Sequence, residues 1–580
     1  MEGISIRISG ANGDGIESAG ALLSQLLAHN GLYVFGFRGY QSVIRGGLVW
    51  YQLKASNSRV YSIGNGVDVF VALTMDALAA GLSNMGENGI VIYDSTVIKT
   101  TPAANAKVQF VGVPLMEIAL KSGGSFIYRN SVAIGIIGKL LGIDEKTIDI
   151  AVGKAFKRKP EEIETNMKVV NSGYDFPINA KLEKKLAIGN APLEKYLLNG
   201  NSAIAIGAYA AGCKFYAAYP MTPASSIMEW FALHEPLGIF FKQTEDEIAA
   251  INMTIGAAST GARAMCGTSG GGFSLMVEAL GLAGMLEVPI VVVESQRSGP
   301  STGLPTKTEQ GDLLFAIHAS QGEFPRIVLA PRSIEECFYM TAEAFNLADR
   351  YQCPVILMVD LFMSEHSESV DIDPEKVAEE RGEIAAASDQ QTGRFMRYKI
   401  TDRGVSPRSL PGSKGLAFVA SSDEHDEYGS LISDVLAGIP KYVELRKKMH
   451  DKRMRKLDTM LDDGAIGMPT VVNDGADVFM LTFGSTTESA TEALELLKSR
   501  GINAGLISFA YLHPMPSDRV KKLLEGKRLI DVECNATGQL AKLIAMNTGM
   551  VVRDKVLKYD GEAITSREIA DGIANYVGKV

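Results

Sequence analysis
Ile4, Ile6 and Ile8 alternate with Ser5 and Arg7, a period-two pattern that predicts a short strand, and Leu22, Leu23, Leu26 and Leu27 then recur at helical spacing. Between them Gly10-Ala11-Asn12-Gly13-Asp14-Gly15-Ile16 predicts a tight strand-to-helix turn. Strands are predicted again at 69–73, 89–94 and 108–113, with helices between them. Past about residue 170 the pattern gives way to Asn171, Ser172, Gly173, Pro177, the lysines of 181–185, Asn190 and Pro192, which reads as a linker.

From 198 onward strand and helix patterns alternate. A helix is expected at 202–212, a strand at 215–219, a helix from 226, a strand at 239–242, and then a helix whose Ile248, Ile251 and Ile255 share one face. Strands follow at 263–266, 290–293, 326–329 and 355–359, with a helix at 274–286; this repetition predicts a parallel sheet. Three polar loops fall at strand ends: Tyr219-Pro220-Met221-Thr222-Pro223-Ala224-Ser225-Ser226, Thr268-Ser269-Gly270-Gly271-Gly272-Phe273, and Ser295-Gln296-Arg297-Ser298-Gly299-Pro300-Ser301-Thr302-Gly303. Ligands of open α/β sheets collect at such ends, and a guanidinium among glycines and hydroxyls suits an oxygen-rich anion. From 363 to 470 the pattern loosens. The basic run 446–456 is expected to be the solvated face of a helix, and His366 and His425 to be solvated surface groups. The last stretch, 475–580, returns to α/β, with strands at 478–483, 504–509 and 529–533, a helix at 488–499, and Asn535-Ala536-Thr537-Gly538-Gln539-Leu540 opening another helix.

At 580 residues the chain exceeds one core, and 46% hydrophobic with 21% charged residues is ordinary for a soluble protein. The net charge of -10 argues against nucleic acid and anionic membrane surfaces as partners, while leaving room for a small anion. Cys213, Cys266, Cys337, Cys353 and Cys534 are scattered, which argues against a disulfide framework and against a zinc or iron–sulfur site made by this chain alone. With no basic n-region and no apolar run of membrane length, a cytoplasmic protein is expected. The glycine order at 10–15 is not the dinucleotide order, so a simple turn is preferred there. Gly13-Asp14-Gly15 begins like a thiamine diphosphate–magnesium signature, but Arg38-Gly39-Tyr40-Gln41-Ser42 offers no Asn where one belongs, and no metal site is expected. Arg45-Gly46-Gly47 reads as a turn or a phosphate contact.

Taken together, Tyr219-Pro220-Met221-Thr222-Pro223, Gln243-Thr244-Glu245, Thr268-Ser269-Gly270-Gly271-Gly272, Gln296-Arg297 through Pro305-Thr306, and Val532-Glu533 through Gln539 resemble the α subunit of 2-oxoacid:ferredoxin oxidoreductases, in the form with a γ domain fused at its N-terminus. Met221 departs from the family's usual Ile, an apolar swap of similar volume. The resemblance implies three α/β domains: a small γ-type domain over 1–175, a thiamine diphosphate pyrimidine-binding-type parallel-sheet domain over 198–370, and a transketolase C-terminal-like domain over 475–580. A linker at 176–197 and an irregular connecting region at 371–474 separate them.

The resemblance also implies thiamine diphosphate shared with a separate β subunit that carries magnesium and a [4Fe-4S] cluster, coenzyme A as co-substrate and ferredoxin as electron acceptor. A heterodimer or dimer of heterodimers is implied. The expected substrate is 2-oxoglutarate or a broad range of 2-oxoacids, with a pyruvate or branched-chain enzyme as the alternative. A non-catalytic, nucleotide-binding assembly subunit is the rival of another class. By the same resemblance Glu245 matches the carboxylate that hydrogen-bonds the aminopyrimidine, with Glu247 as its rival, and Arg297 matches the clamp on the 2-oxoacid carboxylate. Thr222, Ser301, Thr302 and Thr306 are hydroxyl candidates for substrate, and Tyr219, Pro220, Thr222, Thr268, Ser269 and Gly270 are expected around the cofactor.

Overall fold
The computed structural model describes residues 3–41, 47–64, 66–99, 108–157, 160–189, 191–391, 394–432 and 438–578. The chain forms two compact units: Met1–Asn199 with Glu365–Ile372 and Thr565–Arg567, and Gly200–Ser364 with Asp373–Ile564 and Glu568–Val580. Among the described residues no helix is long and apolar enough to cross a membrane.

The first unit is built on a mixed sheet of β1 (Ile4–Ala11), β2 (Tyr33–Gly39), β3 (Leu48–Ser56), β4 (Val67–Ala72), β5 (Met85–Asp94), β6 (Val108–Val113), β7 (Tyr196–Asn199) and the later strand Ser367–Val370. Its order is β6-β5-β4-β1-β3-β2, then Ser367–Val370, then β7. Ile4, Ile6 and Ile8 face one buried core with Leu22, Leu23, Leu26 and Leu27 of the helix Ile16–His29, as the alternation requires. The glycine turn between them is closed from within: the Asp14 carboxylate accepts from the Ala11 amide at 2.7 Å and pairs with Arg129 at 2.7 Å. The expected linker begins as the last turn of the helix Pro160–Asp175, and it continues as a strap whose Phe176, Ile178, Leu182 and Ile188 pack on the core. Ser42, Arg45, Gly46 and Asn190 lie outside the described residues.

The second unit holds the expected parallel sheet. Its strands are β8 (Cys213–Ala218), β9 (Phe240–Gln243), β10 (Arg263–Thr268), β11 (Val291–Gln296), β12 (Ile327–Leu329) and β13 (Val355–Asp360), in the order β12-β13-β11-β10-β8-β9 with Tyr511–His513 antiparallel at the β12 edge. Every pair from β8 to β13 is parallel, so their carboxyl ends share one edge. A further five-stranded sheet joins Thr470–Val472, Ala504–Phe509, Val478–Phe483, Leu529–Glu533 and Asp554–Leu557.

Two expectations are corrected. The basic run is helical, within Pro440–Asp462, but Lys452, Arg453 and Lys456 are buried instead of solvated. They face Glu287 and Glu424: Lys452 and Lys456 both bind the Glu287 carboxylate, and Arg453 forks onto Glu424. His366 and His425 are also buried, because each ring lies against an aromatic one, Phe35 at 4.5 Å and Tyr398 at 4.1 Å between centroids.

Candidate active site
β8, β10 and β11 are neighbours, and each releases the chain at the same edge. β8 ends at Ala218 before the proline turn, β10 runs at Thr268 into the helix Gly270–Leu286, and β11 ends at Gln296 so that Arg297 is the first residue off the strand. Together they wall a cleft of about 520 Å³. Met221, Glu247, the glycines 270–272, Arg297, Ser301, Thr302, Asp312 and Phe315 are among the residues that line it. The three expected loops therefore do meet at one edge.

The middle loop is not a loop. Gly270, Gly271 and Gly272 form the first turn of a 17-residue helix, where helix propensity alone places the start after them. Their use is steric: a Cβ on Gly272 would stand 2.1 Å from Thr268 Oγ1 and 2.5 Å from Glu247 Oε1. A first turn bare of side chains also presents its backbone N–H groups to the cleft, which favours negative charge there. Thr268 and Ser269 are buried beneath it; the Thr268 hydroxyl contacts Met221 Sδ at 3.7 Å, and Ser269 Oγ has no hydrogen-bond partner.

Arg297 is half-buried and ties two loops together, its Nη1 donating to the Thr222 carbonyl at 2.9 Å. Thr222 thus contributes its backbone to the arginine. The loop carrying Ser301 and Thr302 is closed by the Leu304 amide donating to Ser298 O at 3.0 Å. Gly303 is required inside it: φ is 52° and a Cβ would meet Ser298 O at 2.0 Å. Tyr219 and Pro220 are exposed, and neither they nor Thr306 lines the cleft.

The pair of glutamates is reversed relative to expectation. Glu245 lies exposed on the turn and does not line the cleft, whereas Glu247 lines it and is only 5% exposed. The cause is the capping residue. Asp246 has extended backbone and its carboxylate accepts from the Ala249 amide at 2.7 Å, so the helix starts at Glu247 and turns that side chain inward. The Asp246-x-x-Ala249 spacing was the available signal. Asp312 and Phe315 were not singled out from sequence; the hint was Glu294, an acid set directly after three valines in β11.

Residues 206–443, which include those of this carboxyl-edge cleft, match the family model of pyruvate flavodoxin/ferredoxin oxidoreductase, its thiamine diphosphate-binding part. That stretch is thus a thiamine diphosphate-binding domain of the kind found in these oxidoreductases. Residues 5–176 match the model of pyruvate ferredoxin/flavodoxin oxidoreductase, and 476–569 that of core domain II of pyruvate:ferredoxin oxidoreductase. The chain is 32% identical to subunit alpha of the 2-oxoacid:ferredoxin oxidoreductase of Saccharolobus solfataricus, over 99% of this chain and 98% of that one. It is 34% identical to the 2-oxoglutarate synthase subunit KorA of Methanothermobacter marburgensis, over 66% of this chain and 98% of the relative. The solved 2-oxoglutarate:ferredoxin oxidoreductase from Magnetococcus marinus, with 2-oxoglutarate, coenzyme A and succinyl-CoA bound, superposes with a TM-score of 0.91 at 31% identity and covers 100% of both chains. The chain belongs to the 2-oxoacid:ferredoxin oxidoreductase family, in its alpha-subunit form.

Proposed function
We propose that this cleft holds the aminopyrimidine ring of thiamine diphosphate against Glu247 and the carboxylate of a 2-oxoacid against Arg297. The assembled enzyme then decarboxylates the 2-oxoacid oxidatively, transfers the acyl group to coenzyme A and reduces ferredoxin. The observation that carries this reading is the meeting of Glu247 and Arg297 in one cleft at the carboxyl edge of the parallel sheet. The residues present fit the cofactor: the Glu247 carboxylate and the first turn Gly270–Gly272, bare of side chains, both line the cleft, so an acid and open backbone face the space that a flat ring would take.

When bound, thiamine diphosphate supplies the carbanion chemistry. This chain supplies position and proton handling. Glu247, buried at the helix start, is placed to exchange a proton with the ring nitrogen, and this role passes to it from Glu245. Arg297 offers a planar fork that fixes the substrate carboxylate, and Ser301 and Thr302, which line the same cleft, offer hydroxyls for the 2-oxo oxygen.

The diphosphate, its magnesium and a [4Fe-4S] cluster are assigned to a β subunit, making a heterodimer or a dimer of heterodimers in the cytoplasm. The alpha-subunit naming of the relatives supports this, as does the burial of all five cysteines, each of them free. The KorA relatives and the ligands of the Magnetococcus enzyme favour 2-oxoglutarate, alone or within a broad range. We assign 1–175 as the γ-type domain, 198–370 as the pyrimidine-binding domain and 475–580 as the transketolase C-terminal-like domain. Reduction of a one-electron dye by the assembled enzyme, tested with 2-oxoglutarate, pyruvate and branched-chain 2-oxoacids, is expected with 2-oxoglutarate; no reduction with any of them refutes the reading.

A further inference from the structure
Glu294 points from β11 into the interior with no exposed surface, and neither of its carboxyl oxygens meets a hydrogen-bond donor. The polar group that answers it is another acid, Asp312, whose carboxyl interacts with it directly. Two carboxylates cannot share such a place unless a proton lies between them. Burial first, and then Asp312, raise the affinity of Glu294 for that proton far above the usual carboxylate range.

Asp312 is the member that reaches the cleft. It precedes the helix Leu313–His318 but does not cap it with its side chain, so capping does not account for it. Its backbone is fixed by the amide donating to Gln296 Oε1 at 3.0 Å, and its Oδ2 lies so near Gly270 that a Cβ there would stand 2.4 Å away. Burial raises Asp312 to about 6, with Glu309 adding to the rise and the hydrogen bond from Glu294 opposing it. Its charged surroundings are Glu294 on β11 and Glu309 on its own loop, with Glu247 and Arg297 lining the same cleft; Asp360 on β13 acts on Glu294 from behind.

We propose that Asp312 is a further substrate-binding group of this cleft, poised by Glu294, and that it receives the 2-oxoacid as a neutral carboxyl, so that one proton is taken up as each 2-oxoacid anion binds. An ionised Asp312 would face the incoming anion with like charge, whereas the protonated form donates a hydrogen bond to it. The proton comes from solvent, and no bond in the substrate changes at this step. The inference rests on the cleft being the 2-oxoacid site.

The test is the pH dependence of KM for 2-oxoglutarate in the assembled enzyme, over a range in which the substrate's own carboxylates stay ionised. Above the Asp312 titration, KM is expected to rise about tenfold per pH unit, the signature of one linked proton. Asp312→Asn, which cannot titrate, is expected to flatten that rise. Glu294→Gln keeps a donor toward Asp312 and is expected to retain it, while Glu294→Val removes the donor and is expected to move the rise to higher pH. Should Glu294→Val fail to fold, the Asn and Gln variants decide. A wild-type slope in Asp312→Asn overturns the pair's role even if Arg297→Met raises KM. An unchanged KM in Arg297→Met overturns the cleft assignment and the inference with it.

Discussion

Glu245 and Glu247 stand two residues apart, and the difference between surface and cleft is made by the residue between them. Asp246 spends its carboxylate on the Ala249 amide, which starts the helix at Glu247 and leaves Glu245 outside. Glu247→Gln in the assembled enzyme is expected to lower kcat by roughly two to four orders of magnitude, while Glu245→Gln stays close to wild type. Single-turnover decarboxylation with cofactor occupancy checked in parallel measures this, and the reverse ranking would return the role to Glu245. Arg297 was legible from sequence because glycines and hydroxyls crowd the end of an apolar strand. Its tie to the Thr222 carbonyl was not legible, since two loops far apart in sequence meet there. Arg297→Lys loses both the fork and that tie, so KM for the 2-oxoacid is expected to rise about 10- to 100-fold, in line with one charge-assisted hydrogen bond. Asp312 and Glu294 escaped the sequence reading because an acid in an apolar strand announces burial and not its partner.

At the scale of elements, the strands and helices around the cleft followed from apolar periodicity, and the errors fell where tertiary contacts override it. The glycines 270–272 look like loop and are helix, because close approach to Thr268 and Glu247 outweighs the propensity cost of about 1 kcal/mol per glycine. The helix Pro440–Asp462 looks solvated along its basic run, yet Lys452 and Lys456, one turn apart, converge on Glu287 at the end of the cleft helix. Lys456 also donates to the Gln352 carbonyl at 2.9 Å, and Arg397 to the Glu287 carbonyl at 2.9 Å. Periodicity cannot see such a cluster, because each lysine is charged and only the distant glutamate makes its burial tolerable. One carboxylate serves several cations here. Although its burial opposes ionisation, the cations around it hold Glu287 well below its ordinary range, while burial lowers Lys452 to about 7. Glu287→Gln is expected to destabilise the second unit by about 3 to 5 kcal/mol, read as an earlier urea transition, because it leaves buried cations uncompensated. The depressed Glu287 contributes stability that is present above its unfolded titration, and that stability is lost as pH falls below about 4.5. Wild type should lose stability through that window more steeply than the Gln variant, and equal slopes would remove Glu287 from the account.

For the molecule as a whole, the class of fold was legible and the way distant segments complete a sheet was not. In the first unit Ser367–Val370 inserts between β2 and β7, pairing antiparallel with both, and no local pattern in that segment names its partners. The expected linker hides its apolar residues among lysines for the same reason: their burial depends on a core assembled elsewhere in the sequence. The cleft raises the corresponding question about partners. It carries Arg297, Asp312 and Glu247, but the residues assigned to it handle a ring and a small anion, and the diphosphate, metal and electron outlet are proposed for another chain. Ligand affinity then belongs to the assembly, because a ring held on one side forfeits the charge-assisted contacts of the diphosphate. The isolated chain is therefore expected to bind thiamine diphosphate at least about 100-fold more weakly than the complex and to show no 2-oxoacid-dependent dye reduction. Titration with a β subunit should restore both together and saturate at one β subunit per chain. Tight cofactor binding or turnover by the isolated chain would show that the site is whole without a partner and would overturn the divided arrangement.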